Sequence, residues 1–307
     1  MTSSSAKTNS RLSLRVQSIK PSGIRRFFDL ASKMDNIISL GVGEPDFITP
    51  WNIREASISS MERGFTAYSA NPGIIELREA IADYMNGQIQ VQYDPETEVL
   101  VTVGASEAID IGMRAILDEG DEVIVVEPSF VAYAPLISLA GGVPVPVGTK
   151  LDQEFKVSAE QLEQAISPKT KAIIICFPNN PTGATMEQEE LKSIAEFCQR
   201  HDLFVFSDEI YAELTYDTEH FSIAALEGMK DRTILISGFS KAFAMTGWRL
   251  GFVLAPPDLS AAMLKIHQYS LMCAPTMAQY GALEALQSGM DDVKRMKQSY
   301  SSGVISS

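Results

Sequence analysis

Seven short apolar runs, rich in β-branched residues, recur along the chain from Glu98 onward. Runs of roughly 4 to 8 such residues that are bounded by turn-forming residues are typical of buried strands. The runs are EVLVTVG, DEVIVVEP, VPVPVG, KAIIICFP, LFVFSDE, TILISGFS and GFVLAPP. The pattern therefore predicts a sheet of seven strands.

Amphipathic segments lie between these runs, with apolar residues at three- and four-residue spacing that predicts helices. They include SEAIDIGMRAILDEG, SAEQLEQAIS and EQEELKSIAEFCQRH, and two further helices are predicted before Glu98, at 53–63 and in IIELREAIADYMNG. Strands that alternate with helices are typical of βαβ units. We therefore expect an α/β fold built on a mostly parallel sheet.

Polar or conformationally special residues follow five of the predicted strands. In an open α/β sheet, ligands bind beyond the carboxyl ends of the strands. The five groups are Gly104-Ala105-Ser106, Pro128-Ser129-Phe130, Asn179-Asn180-Pro181-Thr182-Gly183, Asp208-Glu209-Ile210-Tyr211 and Ser240-Lys241. These groups are the first candidates for a functional site.

Composition narrows the class of protein. The 307 residues are 45% hydrophobic, which allows a sizeable core, and the net charge of −14 disfavours binding to nucleic acid or to an anionic membrane. An anionic ligand would therefore need a locally built site. The three cysteines lie far apart, which is typical of reduced thiols in a cytosol-like compartment. Metal-ligand spacing is absent, and no apolar run approaches the ~20 residues that span a bilayer.

Three of the strand-end groups can be interpreted as functional, although ordinary structural or surface roles are also compatible with them. Lys241 could be a surface lysine, yet its aromatic and alanine neighbours would lower the pKa of its amine, as a lysine that forms an imine requires. Asp208 could begin a helix, but after the apolar LFVF it needs a cationic or hydrogen-bonding partner. Gly104-Ala105-Ser106 opens a helix whose free N–H groups suit a phosphate, although it matches neither the P-loop nor the G-x-G-x-x-G fingerprint.

These groups together match the needs of pyridoxal 5'-phosphate. That cofactor requires a lysine for the imine, an acid beside the pyridinium nitrogen and an anion site for the phosphate. The chain also carries SLGVGEPDF, PNNPTG, SDEIY and SKAFAMTGWRLG in this order. Through these motifs it resembles class I/II aminotransferases of pyridoxal-phosphate fold type I, most closely the aspartate and aromatic branch, from about Leu12 to Tyr300.

The resemblance implies a fold and its domains. We expect the fold-type I architecture, a mostly parallel seven-stranded sheet sandwiched by helices, with an incomplete small domain. Residues 1–45 would form an N-terminal arm and part of the small domain, residues 46–288 the large cofactor-binding domain, and residues 289–307 the start of an interdomain helix with an atypical tail.

The resemblance also implies roles at the cofactor ring. Lys241 would bind the cofactor covalently and then act as general base and acid, while Asp208 would pair with the pyridinium nitrogen. Tyr211 and Asn180 match the residues that hydrogen-bond the phenolic oxygen of the ring, with Asn180 also placed near the substrate. Phe130 matches the aromatic residue that stacks on the ring.

The phosphate and the substrate carboxylate would be held by residues from several loops. Gly104, Ala105 and Ser106 would offer backbone N–H groups to the phosphate, and Arg249 would pair with it bidentately. Tyr68 matches a tyrosine that reaches the phosphate of the neighbouring subunit, which implies a homodimer. Gly43 matches a backbone position near the substrate carboxylate, and a tight turn that needs glycine is an equally compatible interpretation.

The sequence departs from the family pattern in two places. Gly238 stands where many relatives have a hydroxyl that binds the phosphate, and Ser240 or Ser237 is the expected substitute. The family continues into a small C-terminal domain that supplies an arginine for the substrate α-carboxylate, whereas the Ser- and Gly-rich end of this chain is not expected to continue the preceding helix. We therefore expect compromised activity.

The function predicted is transfer of an amino group from an aromatic amino acid or aspartate to a 2-oxo acid such as 2-oxoglutarate. Two alternatives remain open at this point: a lyase or synthase on the same scaffold, such as a carbon–sulfur lyase or aminocyclopropane carboxylate synthase, and a noncatalytic remnant. Cytoplasmic localisation is expected. The acid-free first 28 residues have the composition of an organelle transit peptide, but SGIRRFFDLA resembles the N-terminal arm of the family.

Overall fold

The computed structural model describes residues 11–21, 43–216 and 218–305. The segment SGIRRFFDLA, assigned above to the N-terminal arm, lies outside the described residues. The predicted division of the chain at 45 and 288 stays a prediction.

A seven-stranded sheet forms the centre of the described chain. The strand order is β1-β7-β6-β5-β4-β2-β3, in which β2–β3, β2–β4, β4–β5 and β5–β6 are parallel and β7 is antiparallel to β1 and β6. The strands are β1 (Val99–Thr102), β2 (Glu122–Glu127), β3 (Val143–Gly148), β4 (Thr170–Cys176), β5 (Phe204–Asp208), β6 (Thr233–Gly238) and β7 (Gly251–Leu254). All seven predicted strands are present, and the prediction of a mostly parallel sheet is confirmed.

Ten α-helices occur in the described chain. They are α1 (Leu14–Ser18), α2 (Trp51–Glu62), α3 (Ile75–Ile89), α4 (Ala105–Ile116), α5 (Tyr133–Leu139), α6 (Ala159–Ala165), α7 (Gln188–Arg200), α8 (Pro257–Ser270), α9 (Thr276–Ser288) and α10 (Met290–Ile305). The five helices predicted from apolar spacing are α2, α3, α4, α6 and α7. Each helix in the described chain is too short or too polar to cross a membrane.

The strands are apolar on both faces because helices cover the sheet on both sides. Along β6, Ile234 and Ile236 pack in one cluster with residues of α4 and α8. Leu235, which points to the opposite face, packs in a second cluster with residues of α3 and α9. This alternation has the two-residue period of a strand and buries all three side chains completely.

The helix α10 corrects one expectation. It continues to Ile305, through the Ser- and Gly-rich residues that were expected not to continue it. Helix propensity is a weak preference, and a serine can satisfy its hydroxyl within the helix. The Oγ of Ser302 donates a hydrogen bond of 2.8 Å to the carbonyl of Gln298, four residues earlier.

Candidate active site

A cavity of ≈ 790 Å³ lies at the carboxyl ends of the central strands and beside the first turn of α4. Ten predicted site residues line this cavity: Gly43, Ala105, Ser106, Phe130, Asn180, Asp208, Tyr211, Ser240, Lys241 and Arg249. They come from strand ends, the start of α4 and loops that are far apart in sequence, and most of them meet because parallel strands end at the same edge of the sheet. Gly104 and Tyr68, which were also predicted, do not line it.

Lys241 follows β6 and extends into the cavity. Its Nζ donates a hydrogen bond to the carbonyl of Gly43 and lies 5.7 Å from the ring centroid of Tyr211. Burial lowers the pKa of the Lys241 amine, and the nearby Arg249 lowers it too, although the Glu44 carboxylate opposes both effects. The fraction of unprotonated amine at neutral pH is thereby increased, as a nucleophile and proton acceptor requires.

Asp208, at the end of β5, is 4% exposed. Its Oδ2 accepts a hydrogen bond of 2.6 Å from the Tyr133 hydroxyl, and its Oδ1 accepts one of 3.2 Å from the Ile210 amide. Burial raises the pKa of Asp208 to about 6, while both hydrogen bonds oppose this rise. A cation placed beside this carboxylate would relieve the cost of burying it ionised.

Tyr133 is a site residue that sequence reasoning missed. It is the first residue of α5, is 1% exposed, and lies edge to face against Phe130 with 5.6 Å between ring centroids. It reaches Asp208 across 75 residues of sequence, so no local pattern links the two. The only available signal was an aromatic residue with a hydroxyl three positions after Phe130.

Asn180 and Tyr211 form a second polar pair in the cavity. The Nδ2 of Asn180 donates a hydrogen bond of 3.2 Å to the Tyr211 hydroxyl. Burial raises the pKa of Tyr211 to about 12, so its hydroxyl keeps its proton and can donate a hydrogen bond at neutral pH. The preceding Asn179 has a different role, because its Oδ1 accepts hydrogen bonds from the amide and hydroxyl of Thr182 and so closes the PNNPTG turn.

The first turn of α4 and Arg249 meet at one end of the cavity. Amides in the first turn of a helix have no acceptor within the helix, and the helix dipole favours an anion there. Gly104, with φ of +78°, allows the close approach of Arg249, because a Cβ at Gly104 would lie 2.7 Å from Nη2 of the guanidinium. Arg249 itself has φ of 53°, an uncommon conformation for a residue with a side chain, and such strain clusters at functional sites.

The glycine at position 238 has a steric explanation. A Cβ at Gly238 would lie 2.8 Å from the Cα of Gly251 and 3.1 Å from the carbonyl of Leu250, so a hydroxyl-bearing side chain has no room in this backbone. Of the two proposed substitutes, Ser240 lines the cavity. Ser237 instead directs its Oγ to the carbonyl of Glu209, at 3.4 Å.

Gly43 forms part of the cavity wall through its backbone. A Cβ at this position would meet no described atom within 4 Å, and the interpretation as a tight turn that needs glycine stays a prediction. A second cavity of ≈ 430 Å³ adjoins the first and shares Gly43, Tyr211 and Lys241 with it. Its wall includes two more tyrosines, Tyr216 and Tyr300.

Tyr68 lies on the surface with 81% of its area exposed. Other large side chains are exposed on a second segment: Tyr269 at 88%, Leu271 at 45% and Met272 at 44%. The Nδ2 of Asn71 donates a hydrogen bond of 2.7 Å to the carbonyl of Met272, which joins the two segments. We refer to Tyr68, Tyr269, Leu271 and Met272 as the exposed patch.

These residues fit pyridoxal phosphate. The cavity offers a partly desolvated amine, a buried carboxylate whose charge lacks a cationic partner among the described residues, and a helix start beside an arginine. A side chain at Gly104 would displace that arginine. Within the same described residues, no group of three or more His, Cys, Asp or Glu side chains could hold a metal ion.

Solved structures place the fold in the class of pyridoxal-phosphate fold-type I transferases. An aromatic aminotransferase from Pyrococcus horikoshii is 44% identical in sequence and superposes with a TM-score of 0.85, covering 91% of this chain and 74% of the other. The class I and II aminotransferase family matches residues 35–302. The chain belongs to this family.

Relatives that are similar in sequence are also named as aminotransferases. A putative aminotransferase, YugH, from Bacillus subtilis is 62% identical over 95% of this chain and 75% of its own length. An aspartate aminotransferase from Pyrococcus abyssi is 47% identical over 90% of this chain and 71% of its own length. The cofactor of the family is pyridoxal phosphate, and its reaction transfers an amino group from an amino acid to a 2-oxo acid; the predicted class, cofactor and reaction are confirmed.

Proposed function

We propose that the cavity at the strand ends is the transamination site and that Lys241, Asp208 and Arg249 are its principal residues. The observation that carries this assignment is their convergence: a buried acid from the end of β5 lines one cavity with an amine and a guanidinium from the connection between β6 and β7. Their chemistry matches the aldehyde, the ring nitrogen and the phosphate of the cofactor, in that order.

Pyridoxal phosphate supplies an aldehyde that bonds to amines and a ring that withdraws electrons from the substrate α-carbon. Lys241 binds the cofactor covalently at rest. Once free, the Nζ of Lys241 would accept the proton from the substrate α-carbon and would later give up that proton. The lowered pKa of Lys241 suits this shuttle, because a base works best when its pKa is near the operating pH.

Asp208 would keep the ring nitrogen of the cofactor protonated. The protonated ring withdraws electrons more strongly. Burial strengthens this pairing, because opposite charges attract more strongly where water is excluded. Tyr133 orients the carboxylate through its hydrogen bond to Oδ2. Tyr211 and Asn180, already hydrogen-bonded to each other, would hydrogen-bond the phenolic oxygen, and Phe130 would contact the ring.

Arg249, Ser240 and the N–H groups of Ala105 and Ser106 hold the phosphate. The substrate carboxylate would lie near Gly43 and Asn180, and the substrate side chain would extend into the adjoining cavity of ≈ 430 Å³. Aromatic amino acids and aspartate, paired with 2-oxoglutarate, are the proposed substrates. Two relatives named as aromatic and aspartate aminotransferases support both classes, and the tyrosines of the adjoining cavity suit an aromatic side chain.

In this proposal the protein is a homodimer in which the partner subunit completes the site. The proposed location of the protein is the cytoplasm. The exposed patch supports the dimer, because large apolar side chains grouped at a surface mark interaction sites. Tyr68 belongs to this patch and would contact the phosphate in the partner subunit. Sedimentation of the Tyr68→Ser and Tyr269→Ser double variant should give monomers, whereas an unchanged dimer would contradict this interface.

The role of Lys241 can be tested directly by borohydride reduction of the cofactor-loaded protein and mass analysis of its peptides. The cofactor should be trapped on the peptide that contains Lys241, and Lys241→Arg should abolish trapping. Lys192→Arg is the matched control, because the side chain of Lys192 is 56% exposed and lies on α7. Trapping on another lysine would refute the assignment.

The reaction type can be tested in the same preparation. Stoichiometric formation of the 2-oxo acid, with the amino group retained on the cofactor, is expected from a single addition of an amino acid. Release of ammonia and pyruvate in place of this half-reaction would contradict transamination and favour a lyase.

A further inference from the structure

A carboxylate–imidazole pair lies directly behind the proposed phosphate site. Glu107 is the third residue of α4, and its Oε1 lies 2.6 Å from Nδ1 of His267 on α8. The side chain of His267 is fully buried and that of Glu107 is 9% exposed. A carboxylate can only accept a hydrogen bond, so the proton is on Nδ1 of His267, and this N–H donates the hydrogen bond to Glu107.

The second oxygen of Glu107 fixes the turn that leads into α4. Oε2 accepts a hydrogen bond from the amide of Val103, the residue before Gly104. The same turn is closed by two bonds to the carbonyl of Gly104, one of 3.0 Å from the Thr102 hydroxyl and one of 3.2 Å from the Glu107 amide. Glu107 therefore helps to fix the turn that leads to Ala105 and Ser106, which line the cavity.

Because Glu107 carries a negative charge, the direction in which its side chain points matters for binding of a phosphate. A carboxylate in the first turn of α4 would repel a phosphate if it turned toward the cavity. Ala105, Ser106 and Ile109 line the cavity, but Glu107 does not. The hydrogen bond from His267 holds the carboxylate on the opposite side of the turn, where it stabilises the backbone and leaves the N–H groups of Ala105 and Ser106 for the phosphate.

We propose that His267, acting through Glu107, is a positioning residue for the phosphate of the cofactor. This inference rests on the proposed placement of the phosphate at the start of α4. His267 does not line the cavity. Its contribution is to fix the rotamer of Glu107, and through it the turn, before the phosphate binds.

The geometry of His267 provides a discriminating set of variants. Its Nε2 is buried and has no hydrogen-bond partner among the described residues, so only Nδ1 contributes a bond. Asparagine places an amide nitrogen near the position of Nδ1, whereas glutamine places one near the position of Nε2. His267→Asn should therefore keep the bond to Glu107, and His267→Gln, which is closer to histidine in volume, should lose it.

The test compares the dissociation constants of pyridoxal phosphate and of pyridoxal, which lacks the phosphate, in the full chain. His267→Ala and His267→Gln should weaken binding of pyridoxal phosphate by about 10-fold or more, the factor expected from one charge-assisted hydrogen bond. Binding of pyridoxal should change by less than about 3-fold. The dissociation constants of the His267→Asn variant should lie within about 3-fold of the wild-type values for both ligands. A thermal melt of each variant monitors folding.

Either of two results with the His267 variants would overturn the inference. Equal weakening for both ligands would assign His267 a general structural role, and rescue by glutamine as complete as that by asparagine would assign it a volume-filling role. If His267→Ala does not fold, the comparison of asparagine with glutamine decides alone.

A Gly104→Ala variant separates this inference from the proposed function. If it loses the preference for pyridoxal phosphate while the His267 variants keep it, the phosphate site is correct and the role of His267 is wrong. If the wild type shows no preference for pyridoxal phosphate over pyridoxal, the phosphate placement is wrong, and the inference is wrong with it.

Discussion

The Tyr133 hydroxyl donates a hydrogen bond of 2.6 Å to Oδ2 of Asp208, and the two side chains are 1% and 4% exposed. This bond stabilises the ionised carboxylate in a buried place. Without it, the pKa of Asp208, which burial already raises to about 6, would rise further. Tyr133 thus sets the lowest pH at which Asp208 can pair with a protonated ring nitrogen.

The Tyr133→Phe variant should move the acid limb of cofactor binding to higher pH. Asp208 must be ionised to pair with the ring, so affinity falls as pH drops through its pKa. A hydrogen bond to a charged group contributes about 1.5 to 3 kcal/mol, which corresponds to an upward shift of about 1 to 2 pH units. The measurement is the dissociation constant of pyridoxal phosphate between about pH 5 and 8. Tyr216→Phe, from the adjoining cavity, is the control and should leave the limb in place.

The Asp208→Asn variant should be more stable than the wild type when both lack cofactor and the pH is above about 6. The folded-state pKa of Asp208 is about 6, against an ordinary value of 3.8, so the buried charge destabilises the wild type as pH rises through this interval. Asparagine does not ionise. The difference should be near zero below about pH 4 and reach about 3 kcal/mol above pH 6.

Urea unfolding across this pH range provides the measurement for Asp208. Saturation with the cofactor should reverse the order of stability, because only the carboxylate can pair with the ring nitrogen. Parallel pH profiles of the two proteins without cofactor would show that Asp208 is not buried in the ionised form.

The Gly104→Ala variant should bind pyridoxal phosphate about 10-fold or more weakly, because its Cβ would lie 2.7 Å from Nη2 of Arg249 and displace the guanidinium. Gly64→Ala is a matched control. Gly64 has a similar positive φ of +82°, but a Cβ there would meet no atom within 4 Å. Both variants carry the backbone strain, and only Gly104→Ala should lose affinity for the phosphate-bearing cofactor. Equal effects of the two would assign the loss to strain alone.

Local sequence patterns could predict the fold and most of the cavity because the site is assembled from strand ends. Each candidate, from Ala105 to Arg249, lies within a few residues of a recognisable strand. Topology then brings them together without further information, since the parallel strands share one carboxyl edge.

The contacts that sequence could not predict join residues far apart. Tyr133 and Asp208 are separated by 75 residues, and Glu107 and His267 by 160. The glycine at 238 looked like a lost phosphate ligand, whereas it is required by the approach of Gly251 on the neighbouring strand. Such requirements depend on packing between elements, which periodicity does not encode.

The buried ion pair of Glu209 and His220 should make stability fall with rising pH, in the same sense as Asp208 but in a higher pH interval. Oε2 of Glu209, a residue 3% exposed, lies 2.7 Å from Nε2 of His220, and Oε1 accepts hydrogen bonds of 2.8 Å from Ser207 and 2.7 Å from Ser222. Burial alone would lower the pKa of His220, but the charge of Glu209 and its hydrogen bond raise it above the ordinary value of 6.5. The pair therefore contributes fully below about pH 6.5, and its contribution is lost as pH rises through the raised pKa.

The His220→Ala variant should destabilise the fold by about 3 kcal/mol at pH 6, because it leaves the Glu209 carboxylate buried without its cationic partner. The loss should be smaller at pH 9 than at pH 6, because the wild-type pair loses its charge as pH rises through the raised pKa of His220. His201→Ala is the matched control: His201 makes a 3.0 Å contact with Glu163, but the two side chains are 31% and 40% exposed, so it should cost less than about 1 kcal/mol. Urea unfolding at the two pH values measures both. A loss for His220→Ala that is the same at pH 6 and pH 9 would show that the pair is held by neutral hydrogen bonding and not by charge.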